Sequence, residues 1–245
     1  MRRGLKLHMR LCYNSSMDNY KYINDNLEAL NKEIGELSEK YGNTVTLVAV
    51  TKSGSDEELM ALVKAGADNI GENRPGELKR RGELLRSQGL TPALHEIGNL
   101  QRNKVKYIID TVSLIHSLDN EALAAEIDRQ AARVGRRVPV LIEINSADEE
   151  SKGGIAPEDA EEFFLALKKY KSLIVSGIMT MGPVVEDPEQ IRPYFRLTKK
   201  IFDRIRDTHG FEGEPTLSMG MSDSYRVAIE EGATLVRVGR RLFEK

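Results

Sequence analysis

Residues 45–52 read VTLVAVTK, a run of β-branched and small apolar side chains closed by a lysine. Asn43 lies just before it and Ser53-Gly54 just after it, and these are turn residues. The apolar positions run on instead of alternating, so this strand is buried on both faces. Such a strand belongs in a parallel sheet covered by helices. Upstream, Tyr22, Ile23, Leu27, Leu30, Ile34 and Leu37 recur at three- and four-residue steps. That period predicts a helix over 18–41, with Asp18 placed to cap it and Gly42 to end it.

Downstream the two patterns alternate to the end. Helices are predicted at 55–65, 74–88, 101–109, 119–134, 157–169, 189–209 and 222–231, and strands at 69–71, 93–98, 111–117, 139–145, 173–181, 216–220 and 234–239. Gly66, Gly89, Gly135, Gly210 and Gly232 stand at helix ends. Counting 45–51, eight strands are separated by helices, and a return through a helix makes neighbouring strands parallel. A chain of 245 residues is the usual size of a closed (β/α)8 TIM-type barrel, which is predicted over an open doubly wound sheet. The stretch 240–245 is too short for a normal eighth helix, so the N-terminal helix is expected to cover the gap between the last strand and the first. The expected organisation is one barrel domain over 17–245 behind a disordered leader over 1–16. That leader carries Arg2, Arg3, Lys6 and Arg10 but no apolar segment of a signal peptide.

Composition removes several functions. Lys plus Arg is 36 and Asp plus Glu 38, a net charge of −2, which gives no electrostatic reason to bind nucleic acid. No apolar run approaches the roughly 20 residues of a membrane span. The single Cys12 cannot form an internal disulfide, which points to a reducing, cytoplasmic setting. His8, His95, His116 and His209 lack metal-ligand spacing, so no metal is expected. No exposed apolar stripe is evident, so a monomer is expected.

Barrel sites form where strands end in βα loops. Lys52 ends the first strand. Held in a barrel mouth it is expected to be partly desolvated, which lowers a lysine pKa and frees the amine for a Schiff base with an aldehyde. As an ordinary loop lysine it would do neither. The stretch 218–222, SMGMS, runs from the seventh strand into a helix. There Gly220 permits close backbone approach, and Ser222 either caps the helix or helps hold a phosphate at its N-terminus. Gly239 and Arg240 follow the eighth strand, where barrel phosphate sites are common. Arg237 shares parity with Leu235 and Gly239, and faces either the interior or an outer carboxylate. Asn73 either caps the helix starting Arg74-Pro75 or touches a ligand.

Seven motifs in order carry a resemblance. They are AVTK ending at Lys52, GEN at 71–73, H-x-IG-x-LQ-x-NK at 95–104, SKGG at 151–154, GIMTM at 177–181, SMGMS at 218–222 and VRVG at 236–239. Over about residues 20–243 the chain resembles the pyridoxal phosphate homeostasis protein family, whose fold is similar to the barrel half of fold-type III pyridoxal 5'-phosphate (PLP) enzymes such as alanine racemase. The resemblance implies a Schiff-base lysine at Lys52 and a cofactor-contacting asparagine at Asn73. It implies phosphate contacts at Ser218, Gly220, Met221, Ser222 and Gly239 with the next backbone N–H, and an arginine facing the pyridine nitrogen at Arg237. Where the family usually carries a small hydroxyl residue, this chain has Arg240.

The implied function is a non-catalytic PLP-binding protein of vitamin B6 and amino-acid homeostasis, with PLP-dependent apo-enzymes as candidate recipients. A cationic Arg237 would keep the pyridine nitrogen unprotonated and weaken the ring as an electron sink. With the barrel running to Lys245, the β domain that supplies racemases with a second acid–base residue is not expected. The alternatives are a PLP-dependent amino-acid racemase, with Lys52 and a partner such as Tyr225 as its bases, and a phosphometabolite-binding barrel without PLP.

Overall fold

The computed structural model describes residues 19–147 and 153–245. The leader expected over 1–16, the Asp18 cap, and Ser151 and Lys152 of the SKGG motif lie outside the described residues. Eight strands close a barrel in chain order. They are β1 (Thr46–Val50), β2 (Asn69–Glu72), β3 (Ala93–Glu96), β4 (Leu114–Leu118), β5 (Val138–Glu143), β6 (Leu173–Met179), β7 (Thr216–Ser218) and β8 (Leu235–Val238). Every pairing is parallel, and β8 closes on β1 with Thr46 beside Leu235 and Val48 beside Arg237. Most strands are shorter than predicted, and residues such as Thr51, Asn145, Thr180 and Gly239 fall just past the strand ends, in the mouth loops. Residues 111–113 also drop out, since Thr111 and Val112 donate 2.9 and 2.8 Å back to the Ile108 carbonyl and close the preceding turn.

The helices are α1 (Lys21–Tyr41), α2 (Asp56–Lys64), α3 (Pro75–Ser87), α4 (Glu121–Arg133), α5 (Ala160–Leu167), α6 (Arg192–His209), α7 (Tyr225–Glu230) and α8 (Arg240–Phe243). The predicted helix at 101–109 is a 3-10 segment, Arg102–Tyr107, whose period of three buries Val105 and Ile108 together. A second 3-10 turn, Pro188–Ile191, precedes α6. The short tail makes one helical turn, α8, and α1 lies over α2, α7 and α8 as a seal. Ile23, Leu27, Leu30 and Ile34 bury the inner face of α1, each contributing about 1.5–3 kcal/mol. Asn26 Nδ2 holds the tail through the Glu244 carbonyl at 2.8 Å.

The core has two layers. Between strands and helices lies a continuous apolar shell that includes Ala49, Ile70, Leu94, Ile115, Ile142, Ile178 and Val236. Inside the barrel, Val48, Leu114, Leu141, Met179 and Leu235 form a separate plug. Leu235 is therefore an inward position, and Arg237 two residues on is inward as well.

Candidate functional site

Above the plug the barrel interior turns polar. Arg237 on β8 is buried, donating through Nη1 to Ser218 Oγ and through Nη2 to the Thr180 carbonyl at 3.0 Å. Ser218 Oγ lies 3.0 Å from His116 Nδ1 on β4. His116 Nε2 lies 3.0 Å from His95 Nδ1 on β3, and His95 Nε2 lies 3.1 Å from Asn69 Oδ1 on β2. Burial lowers the His95 pKa to about 4 and the His116 pKa well below its ordinary value, so both rings are neutral near pH 7. The two ends of this chain then fix its direction. Asn69 Oδ1 can only accept, so His95 carries its proton on Nε2, and His116 likewise. Ser218 donates to His116 and accepts from Arg237, which can only donate. Burial pulls the guanidinium down to about 10, with Glu143 opposing, and it stays protonated near neutrality.

A cavity of about 400 Å³ opens over this arginine at the C-terminal ends of the strands, within the usual range for small-ligand sites. Lys52, Asn73, Met221, Ser222, Arg237, Gly239 and Arg240 all line it, together with Val50, Glu143, Met181 and Asp223. A wider, more open groove of about 950 Å³ shares Asn99 with it and runs between the 3-10 segment and α4. The smaller cavity holds the chemically distinctive groups.

Several expectations change. Lys52 is exposed, so burial does not desolvate it as predicted. Asn73 is not a helix cap, because Arg74 occupies that position ahead of Pro75. Its backbone lies against Gly98, where a Cβ would sit 2.2 Å from the Asn73 carbonyl oxygen. Ser222 does not cap α7, which starts only at Tyr225; its Oγ instead accepts from the Gly239 N–H at 3.3 Å, tying the two expected phosphate loops together. The Met221 N–H donates to Ser224 Oγ at 3.1 Å. Gly220, at φ 89°, packs where a Cβ would meet that of Ala228 at 2.5 Å. Gly220 and Ser218 are buried behind the cavity lining, and the Ser218 hydroxyl is engaged by Arg237 and His116. Arg240 crosses the rim to Asp223 at 2.5 Å, with both side chains largely exposed. Tyr225 is fully buried away from the cavity, where its hydroxyl accepts from Arg241 and burial pushes its pKa up to about 12. It is not a base of this site.

Glu143 on β5 lies outside the seven motifs. It is 8% exposed, and burial, with Asp119 nearby, pushes its carboxyl up to about 7 against the pull of Arg237. The signal was available: PVLIEIN places a charge inside an apolar run, in phase with inward Leu141.

The fold and this mouth define the class. The family model described as alanine racemase, N-terminal domain, matches residues 26–244. The pyridoxal phosphate homeostasis protein of Aquifex aeolicus is 41% identical over 201 residues, covering 82% of this chain and 87% of that one. The Helicobacter pylori protein of that name is 36% identical over 203 residues, covering 82% and 88%. The chain belongs to the pyridoxal phosphate homeostasis protein family. Among solved structures, PipY of Synechococcus elongatus with PLP bound superposes with a TM-score of 0.81 at 26% identity, covering 91% of this chain and all of that one. Clostridium difficile alanine racemase in complex with cycloserine shares the fold, with a TM-score of 0.70 at 19% identity over 60% of its length.

Proposed function

We propose that this chain binds PLP in the barrel-mouth cavity, covalently through Lys52 as a Schiff base, and serves vitamin B6 homeostasis without turning over amino acids. One observation carries the reading. A reachable primary amine and a rigidly held, protonated guanidinium line one small cavity on neighbouring strands. PLP brings an aldehyde, an aromatic ring with a basic nitrogen, and a phosphate. Lys52 supplies the amine for the first. Arg237 uses two of its five N–H donors on Ser218 and Thr180, and others remain for a ring nitrogen. The amides of Met221 and Gly239 already donate to hydroxyl oxygens, and a phosphate is a stronger, charged acceptor for such groups. Asn73 lies at the cavity edge to fix the ring. A donor that stays protonated does not give its proton to the ring nitrogen, so the site holds the cofactor while limiting carbanion chemistry. The naming of the curated relatives agrees with that role.

Glu143 favours a second reading, slow racemisation. A carboxyl titrating near pH 7 in the same cavity can move a proton. Titration with PLP separates the possibilities. The expected result is a yellow, saturable complex in the wild type and none in Lys52→Ala. A protein that takes up no PLP leaves a phosphometabolite barrel. PLP-dependent deuterium exchange at the α-carbon of added amino acids, lost in Glu143→Gln, would establish the racemase.

A further inference from the structure

Lys52 sits in the turn between β1 and α2, and its side chain is exposed. Its aim therefore depends on the backbone to either side, and one buried residue of α3 grips that backbone. Arg81, 6% exposed, donates Nη1 to the Thr51 carbonyl at 2.6 Å and Nη2 to the Gly54 carbonyl at 2.6 Å. These two carbonyls bracket Lys52. Arg81 Nη1 also reaches Glu72 Oε1 at 2.6 Å, and Thr51 Oγ1 donates to the same oxygen. Thr51 N donates to the Gly71 carbonyl at 3.1 Å, so the amide, carbonyl and hydroxyl of the residue before Lys52 are all engaged.

Closing the turn does not require this. The Gly54 N–H already bonds the Thr51 carbonyl at 2.9 Å. A buried guanidinium is costly to desolvate and is retained only with good partners. Glu72 is its close counter-ion, with Asp56 and Glu77 each 3.8 Å from Nε. Glu96, level with Glu72 on β3, is fully buried and accepts from the Gly98 N–H at 3.1 Å. Burial pushes its carboxyl up to about 8, with Glu72 adding to the effect, so it is protonated near neutral pH. Arg81 is thus not drawn off its carbonyls by a second buried charge.

We propose that Arg81, anchored by Glu72, is a positioning residue that fixes the turn carrying Lys52 and so speeds covalent capture of an aldehyde phosphate, in which the neutral Lys52 amine adds to the aldehyde carbon, the carbonyl oxygen leaves as water with the two amine protons, and a C=N bond remains. This rests on the reading of Lys52 given above. Its test compares two ligands. PLP can bond to Lys52, whereas pyridoxine 5'-phosphate offers ring and phosphate without the aldehyde. In Arg81→Met, capture of PLP followed by absorbance should slow on the order of 10²-fold, the scale of a 1 Å misplacement, while pyridoxine 5'-phosphate binds as in the wild type. Arg81→Lys, a point charge that cannot span two carbonyls, should recover only part of the rate. If Arg81→Met does not fold, Thr51→Val, which removes the hydroxyl bond to Glu72, should show a smaller slowing of the same kind. Wild-type capture rates in the folded variants would overturn the clamp, as would parallel loss of both ligands. Wild-type protein that captures no PLP would overturn the Lys52 reading itself, and the clamp with it.

Discussion

The two sides of the cavity are built in opposite ways. On the β7–β8 side, Arg237 is buried and held by the Ser218 hydroxyl and the Thr180 carbonyl, at the head of a hydrogen-bonded chain of side chains that runs through His116 and His95 to Asn69. On the β1–β2 side, Lys52 and Asn73 are exposed and are carried by loop backbone. On the function proposed above, the difference matches what each group has to do. A charge that must stay on one atom of a ligand gains from rigid, buried partners, because they leave it no other orientation. A group that must form and release a bond has to stay reachable, so only the main chain beneath it can be fixed.

Stability and binding should therefore separate. His116→Ala removes two ring hydrogen bonds and leaves a void in the barrel, and should lower unfolding free energy by about 3 kcal/mol in urea. Lys52→Ala should change it by less than about 0.5 kcal/mol while abolishing PLP capture. Equal destabilisation by the two variants would break the contrast.

The pH dependence of stability should carry two opposite slopes. The folded pKa of His95, about 4, lies below its ordinary 6.5, so the unfolded chain binds the extra proton between them. That contribution is full above pH 6.5 and is lost as pH falls toward 4. Glu143 is raised from 4.5 to about 7, so the native state binds the extra proton in that window. Its contribution is present below pH 4.5 and is lost as pH rises to 7. Glu143→Gln should thus gain up to about 3 kcal/mol over wild type as pH rises across the window. A difference that stays flat with pH would contradict the burial argument. Smaller effects are expected at the exposed positions. Asn73→Ala should weaken PLP binding by about 0.5–1.5 kcal/mol, read as a shift in dissociation constant with no loss of stability. Arg240→Ser breaks an exposed pair with Asp223 and should alter stability by less than about 0.5 kcal/mol.

The strands were legible because buried parallel strands are short apolar runs, and 45–51 and 139–145 announce themselves. So was the covering face of α1, because Ile23, Leu27, Leu30 and Ile34 recur at helical spacing. Local chemistry near loops was read less well. Ser222 looks like a helix cap, yet its hydroxyl is taken by Gly239 of the neighbouring loop, a contact that spacing along the chain does not reveal. The same holds for His116 and Ser218, which are distant in sequence and meet only when the barrel closes. Arg81 did leave a trace. It lies between Leu78 and Leu85 on the buried stripe of α3, where a charge needs a reason.

The most direct test of the central claim is chemical. The full chain is loaded with PLP, reduced with borohydride, digested and mapped by mass spectrometry. The account predicts a phosphopyridoxyl group on Lys52 at close to one per chain. Label spread over other lysines, or none on Lys52, would contradict it.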